Sequence, residues 1–226
     1  MPKSLFITGT DTDVGKTVVT TALIAFLNRM GYPTNGVKPI CCGGLDDVEA
    51  IEAVNASLVE RSILNPLYLD EPAAPASIGA PNMAIRDVLS RWDKIDGEFM
   101  VVEGAGGWCV PVTETWDMED LAVEVDAPVI MVVANRLGAL NHAQLTARAI
   151  QSKGLTLMGY VLNTVSETEY TLAQETNRTV LDELLPCPCL AEVPLGGGYV
   201  SANILCEALK IPHRSDLPLH FRVSDS

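Results

Sequence analysis

Positive charge is scarce in this chain: 15 lysines and arginines stand against 29 aspartates and glutamates, a formal net charge of −14 over 226 residues. So acidic a chain repels polyanions, and no local basic cluster offsets it, which argues against a nucleic-acid partner or an acidic membrane surface. Long apolar runs are missing too. None approaches the roughly 20 residues that cross a bilayer, so no membrane partner is expected. Met1-Pro2-Lys3 leads directly into a strand-like stretch, and a cytoplasmic protein without a secretory signal is the expectation. Metal-ligand spacing is absent among the six cysteines: Cys41 and Cys42 adjoin, Cys109 and Cys206 stand alone, and Cys187-Pro188-Cys189 has no second pair or histidine to complete a site. Reduced thiols are the plain reading. Repeats, low-complexity tracts and Pro/Gly/Ser linkers are also lacking, so residues 1–226 are expected to form one domain, with the polar last 15 residues loosely ordered.

What is present is core. Hydrophobic side chains make up 48% of the sequence, enough to bury a sizeable interior. Short apolar runs alternate with longer amphipathic stretches, the order that gives an α/β fold with a mostly parallel central sheet and helices on both faces. Strands are predicted over 5–7, 34–37, 99–102, 129–134 and 157–162, with a late edge strand near Leu190. Helices are predicted over 17–30, 47–61, 83–92, 118–125, 141–153 and 167–185, two of them closed by Gly31 and Gly154. The proline-rich stretch 65–81 reads as an irregular surface excursion that could frame a substrate cleft.

The sharpest motif is Gly9-Thr10-Asp11-Thr12-Asp13-Val14-Gly15-Lys16-Thr17, set between a strand and a helix. Backbone N–H groups of such a turn face phosphates, Lys16 adds a positive charge, and the Thr17 hydroxyl can ligate Mg²⁺. Its first glycine is displaced by one position: the usual spacing puts a glycine at position 10, which here is Thr10, and the glycine falls at Gly9. Partitioning-type ATPases carry an extra lysine near the start of this loop, and here that place is Asp11, which weakens a nucleotide-switch reading with a protein partner.

Other candidates lie at strand ends. In open α/β sheets ligands bind at the carboxyl edge, so Glu103, closing the strand Phe99-Met100-Val101-Val102, should share an edge with the loop and can hold Mg²⁺. Gly104, Ala105 and Gly106 follow it, and glycines there let backbone approach a bound group. Lys38 ends the second strand and can neutralise charge that shifts during transfer. Asp46 and Asp47 open a helix, where acids suit the dipole, and either could reach the metal. Asn141 is a good N-cap, and the N–H groups behind it could receive a carboxylate. His142 beside it is read as structural.

Taken together, these residues resemble dethiobiotin synthetases over nearly the whole chain. The likeness rests on Thr8 through Thr17, on Val37-Lys38-Pro39, on Val102-Glu103-Gly104-Ala105-Gly106-Gly107-Trp108, on Leu137-Gly138 with Asn141-His142 and Leu145-Thr146, and on Asn163. The displaced glycine belongs to that family's own loop. The resemblance implies a P-loop NTPase-like three-layer fold and ATP-dependent carboxylation and ring closure of 7,8-diaminononanoate with CO₂ to dethiobiotin, ADP and phosphate. It implies Thr17, Asp47 and Glu103 as Mg²⁺ ligands and Lys16, Lys38 and Thr12 as catalytic groups. Nucleotide contacts fall, by resemblance, on Thr12, Asp13, Val14, Gly15, Lys16 and Thr17, on Asp47, on Glu103 to Gly106, and on Asn163, Thr164, Pro194, Leu195 and Gly196. Lys38, Cys42, Leu140 and Asn141 are the implied substrate contacts, the last two from the neighbouring subunit of a homodimer. Two positions depart from the family: Cys42 stands where a hydroxyl residue is common, and Ala76 replaces a histidine. A ligase of the same loop family acting on another carboxylate is the rival reading.

Overall fold

The computed structural model describes residues 2–79, 81–165, 171–212 and 220–223. Six parallel strands form its central sheet, in the order β2-β5-β1-β6-β7-β8. They are β1 (Lys3–Gly9), β2 (Thr34–Val37), β5 (Phe99–Gly107), β6 (Val129–Ala134), β7 (Leu157–Asn163) and β8 (Cys189–Val193). Two short strands, β3 (Ile40–Cys42) and β4 (Leu67–Leu69), pair in parallel beside it, and β9 (Gly198–Ser201) pairs antiparallel with β10 (His220–Val223). The helices are α1 (Lys16–Arg29), α2 (Asp46–Val54), α3 (Arg61–Leu64), α4 (Ile85–Trp92), α5 (Met118–Val125), α6 (Ala139–Ser152), α7 (Leu172–Leu184) and α8 (Ala202–Leu209).

Strands covered on both faces read as continuous apolar runs, and β6, Val-Ile-Met-Val-Val-Ala, is buried at all six positions. From β1 the chain steps outward to β2 on one side, whereas the later steps through β6, β7 and β8 run to the other. With right-handed crossovers, opposite steps place α1 and the α5–α7 set on opposite faces. Accordingly α1 and α5 both pack on β1 and β5, and α2 joins α1. The point where the chain reverses direction lies at the carboxyl end of β1, where such sheets bind ligands.

The expected sheet is present, including the late strand at its edge, and the structure corrects several boundaries. The strand expected over 99–102 runs on to Gly107, following β1 past a register shift between Ile7 and Gly9. The helix expected over 47–61 stops at Val54 because Asn55 turns onto the free edge of β2, its Oδ1 accepting from the Gly36 N–H at 2.6 Å and its Nδ2 donating to the Gly36 carbonyl at 3.2 Å. The helix expected from 83 begins at Ile85. In the excursion over 65–81, β4 and a 3₁₀ turn (Pro75–Ile78) form where irregular chain was expected.

Two helix starts differ as well. The one expected at Asn141 falls at Ala139, after Gly138 in the left-handed region with φ 94°. The helix expected from 167 starts at Leu172, capped by a reciprocal pair of hydrogen bonds between Thr171 and Gln174; positions 167–170 lie outside the described residues. Within the last 15 residues, expected to be loosely ordered, 220–223 form β10, and 213–219 and 224–226 lie outside the described residues. Gly31 and Gly154 close α1 and α6 in left-handed conformation, as anticipated.

Candidate functional site

Sheet register assembles the site before any side chain is placed. Ile7 pairs with Glu103, and Val37 pairs with Val102, so the residues following β1, the acid of β5 and the lysine after β2 emerge side by side. The loop after β1 then turns into α1 through Gly15, whose φ of 86° suits glycine. An added Cβ there would meet the Asn163 amide nitrogen at 2.0 Å. That amide donates to the Val14 carbonyl at 2.9 Å, so β7 clamps the loop from beneath.

Above this edge opens a cleft of about 770 Å³. Of the residues singled out in the sequence, Thr12, Asp13, Gly15, Lys16, Thr17, Lys38, Cys42, Asp47, Gly106, Asn163, Thr164 and Leu195 line it. Glu103 lies behind them at 0% exposure. Val14, Gly104, Ala105, Pro194 and Gly196 are not among the lining residues; Val14 is buried and Pro194 exposed. Leu140 and Asn141 stand away from the cleft in the first turn of α6, and Asn141 sits inside that helix, two residues past its start, so it is not the N-cap. Of the two helix-opening acids, Asp47 lines the cleft, whereas Asp46 is exposed and is not among the lining residues.

The charges interlock. The Lys38 ammonium donates to Glu103 Oε1 at 2.6 Å and to Asp47 Oδ2, and the Thr17 hydroxyl donates to the same Glu103 oxygen at 2.8 Å. Burial disfavours the charged form of Lys38, yet Glu103 and Asp47 outweigh it and raise its pKa above the ordinary lysine value. Burial likewise works against ionised Asp47, and Lys38 and the Thr17 hydroxyl overcome it, holding Asp47 below the usual carboxylate value. Lys16 differs. Its ammonium reaches the Asp11 carbonyl at 3.2 Å, and burial, with Lys38 adding to it, lowers its pKa. Burial pushes the Cys41 thiol up to about 11 and raises Cys42 as well, so neither is a thiolate at neutral pH.

The donor set suits a hard divalent cation. Glu103 Oε2 is buried without a hydrogen-bond partner, and the neighbouring donors are the Thr17 hydroxyl and the Asp47 carboxylate. Among the described residues no cluster of three or more His, Cys, Asp or Glu forms a cage. A Mg²⁺ held by Thr17, Asp47 and Glu103 would therefore complete its shell with phosphate oxygens and water.

Residues the motif reading passed over also shape the cleft. Ile40, Cys41, Val110 and Pro72 to Pro75 add apolar lining, and only for Pro72 to Pro75 did the sequence carry a signal, the proline-rich composition of the excursion. Arg136 pairs with Asp11 at 2.6 Å across the loop, a contact between residues far apart in sequence that no motif announces.

Comparison with known proteins follows the same lines. A family model described as an AAA domain matches residues 3–198. The chain is 34% identical to an ATP-dependent dethiobiotin synthetase of Akkermansia muciniphila, over 92% of this chain and 99% of that one. It is 39% identical to the enzyme of that name from Serratia marcescens, over 92% and 100%, and 36% identical to one from Escherichia coli K12, over 86% and 91%. Among solved structures, the septum site-determining protein MinD of Pyrococcus horikoshii, complexed with Mg-ADP, superposes with a TM-score of 0.56 at 18% identity, over 86% of this chain and 82% of that one. A chain of the MinC:MinD cell division protein complex of Aquifex aeolicus gives 0.53 at 15%, over 85% and 81%. At such identity these two establish the fold alone.

Proposed function

The chain belongs to the dethiobiotin synthetase family, and from that premise we propose that it joins 7,8-diaminononanoate and CO₂ into the cyclic urea dethiobiotin at the expense of ATP. The observation that carries this reading is the convergence of Lys16, Thr17, Lys38, Asp47 and Glu103 at one cleft. One substrate amine adds to CO₂ to give a carbamate. A carbamate oxygen takes the γ-phosphoryl group from ATP, releasing ADP, and the second amine then closes the ring and expels phosphate.

No side-chain nucleophile is required, so the site's task is to position groups and neutralise charge. The loop N–H groups and Lys16 hold the phosphates, and Thr12 and Lys16 meet the transferring oxygens. Lys38 offsets the charge on the carbamate. Bound Mg²⁺, ligated by Thr17, Asp47 and Glu103, would stabilise charge on the phosphate oxygens. Asn163, Thr164 and the stretch Pro194, Leu195 and Gly196 take the adenine end, where Asn163 also anchors the loop. Cys42 replaces a hydroxyl beside the amines with a weaker hydrogen-bonding thiol.

With Mg²⁺, ATP and bicarbonate, the purified protein is expected to release phosphate only when the diamine is added. Release indifferent to the diamine would overturn the assignment and favour an ATPase or a ligase for another substrate.

A homodimer completes the reading. Leu137, just before α6, and Leu145, within it, are 87% and 57% exposed, and a second copy is the partner proposed to cover them. Leu140 and Asn141 would then present the α6 N-terminus to the substrate carboxylate across the interface. Leu145→Glu is expected to sediment as a monomer and to lose diamine-dependent phosphate release at least tenfold while nucleotide affinity holds. An unchanged dimer would place the interface elsewhere.

A further inference from the structure

Lys38 and a divalent cation compete for the same oxygens. The Lys38 ammonium bridges Asp47 Oδ2 and Glu103 Oε1, and Glu103 Oε1 also takes the Thr17 proton. Those are the three side chains assigned to the metal, and Lys38 is buried among them at 5% exposure. Two like-signed cations drawn onto two shared carboxylates repel at short range. One of them must leave.

Only the side chain of Lys38 is free to do so. Its N–H donates to the Leu64 carbonyl at 3.0 Å, and its own carbonyl accepts from Asn65 Nδ2 at 2.7 Å, so the backbone is fixed from both sides. Lys38 lines the open cleft, as do Cys42 and Ile40, and its four-carbon stem is flexible. Glu103 Oε2, buried and unpartnered, is an oxygen that the lysine leaves unused and a metal could take.

We propose that Lys38 is the resident counter-cation of Asp47 and Glu103 and is displaced from them into the cleft when Mg²⁺ enters with the nucleotide. Metal loading and delivery of the ammonium to the carbamate site are then one event. Before it, Lys38 is withheld from substrate; after it, Lys38 has lost its carboxylate partners and seeks anions in the cleft. The inference rests on Thr17, Asp47 and Glu103 being the metal's donors, and it adds the order in which the cations move.

The nucleotide-free chain is the test object, with Mn²⁺ alone as the probe and binding read by electron paramagnetic resonance. Wild type and Lys38→Arg, which both keep the counter-charge, are expected to bind Mn²⁺ weakly. Lys38→Met and Lys38→Gln are expected to bind it at least tenfold tighter, and Glu103→Gln in either background to abolish the gain. Equal Mn²⁺ affinity in wild type and the two neutral variants would overturn the exchange while leaving the ligand assignment intact. A gain that survives Glu103→Gln would overturn both.

A measurement on the wild-type side chain does not depend on variants folding. In protein whose lysines carry ¹³C at Cε, which leaves all three N–H donors in place, the Lys38 Cε resonance is expected to shift on addition of Mg²⁺ with ADP and to stay in place with ADP alone. An equal shift with ADP alone would show that nucleotide, not metal, moves Lys38, and the proposal would fall.

Discussion

Lys16→Met is expected to lower kcat/KM for ATP by about a thousandfold, about 4 kcal/mol of transition-state stabilisation, without a matching loss of thermal stability. The two effects separate because of how the lysine is held. Its ammonium is nearly out of water at 6% exposure, it donates to the Asp11 carbonyl, and no carboxylate pairs with it directly among the described residues. The folded protein therefore keeps a poorly compensated positive charge at the head of α1, which a phosphate completes. Methionine fills similar volume and removes that charge, so the unfolding midpoint is expected to hold or rise. The pKa is lowered, so the unfolded chain binds the proton more readily. Wild-type stability should then climb as pH rises toward the ordinary lysine value, and the variant should lack that part of the rise. Steady-state phosphate release and thermal unfolding between pH 7 and 10 check both halves. A midpoint that falls in step with activity would make Lys16 a structural residue.

The sequence made the sheet and its active edge legible because both depend on local signals. β6 is a continuous apolar run and β1 carries Leu5-Phe6-Ile7 at its centre, while Lys38 and Glu103 are charged residues at the ends of such runs. Parallel register does the remainder, since Val37 opposite Val102 brings Lys38 level with Glu103. What stayed hidden is non-local. The free edge of β2 is covered by residues 55–64: Asn55 pairs with both backbone groups of Gly36, Ala56 N–H donates to the Thr34 carbonyl, and Lys38 N–H donates to the Leu64 carbonyl. An asparagine at 55 looks helix-compatible until Gly36 is beside it. β3 and β4, three residues each, are too short for alternation to register.

The start of α6 failed for a related reason. Asn141 carries the usual capping signal, yet the helix begins after Gly138, because Asn177 donates to Asn135 Oδ1 and to the Arg136 carbonyl and so fixes the preceding turn. The same turn places Arg136 against Asp11. A loop residue identified by sequence as a missing lysine is in the structure the anchor of an arginine 125 positions away. Asp11 thus weakens the nucleotide-switch reading by its identity, while its pairing with Arg136 appears only once the fold is formed.

Glu103→Gln is the substitution in which stability and chemistry should fail together. Gln keeps an oxygen where Glu103 Oε1 accepts from Thr17 and Lys38, so shape and hydrogen bonding are largely preserved and the charge alone is removed. Lys38 then sits buried with Asp47 as its remaining anion, and Asp47's side chain is 45% exposed and partly solvated. Leaving a buried charge half-compensated costs about 3 kcal/mol, the low end for a broken buried pair because Asp47 persists. For a chain of this length that corresponds to a fall of roughly 6 to 12 °C in unfolding midpoint. Adding Lys38→Met to Glu103→Gln removes the stranded charge and should restore at least half of the loss, a non-additivity that a double-mutant cycle measures directly. Activity should not follow. Both the single and the double variant are expected to lose metal-dependent phosphate release at least a hundredfold, because the buried carboxylate proposed to hold the metal is gone in each. If the double variant instead unfolds at the sum of the two single losses, Lys38 and Glu103 act independently, and the coupled-cation picture of this site is wrong.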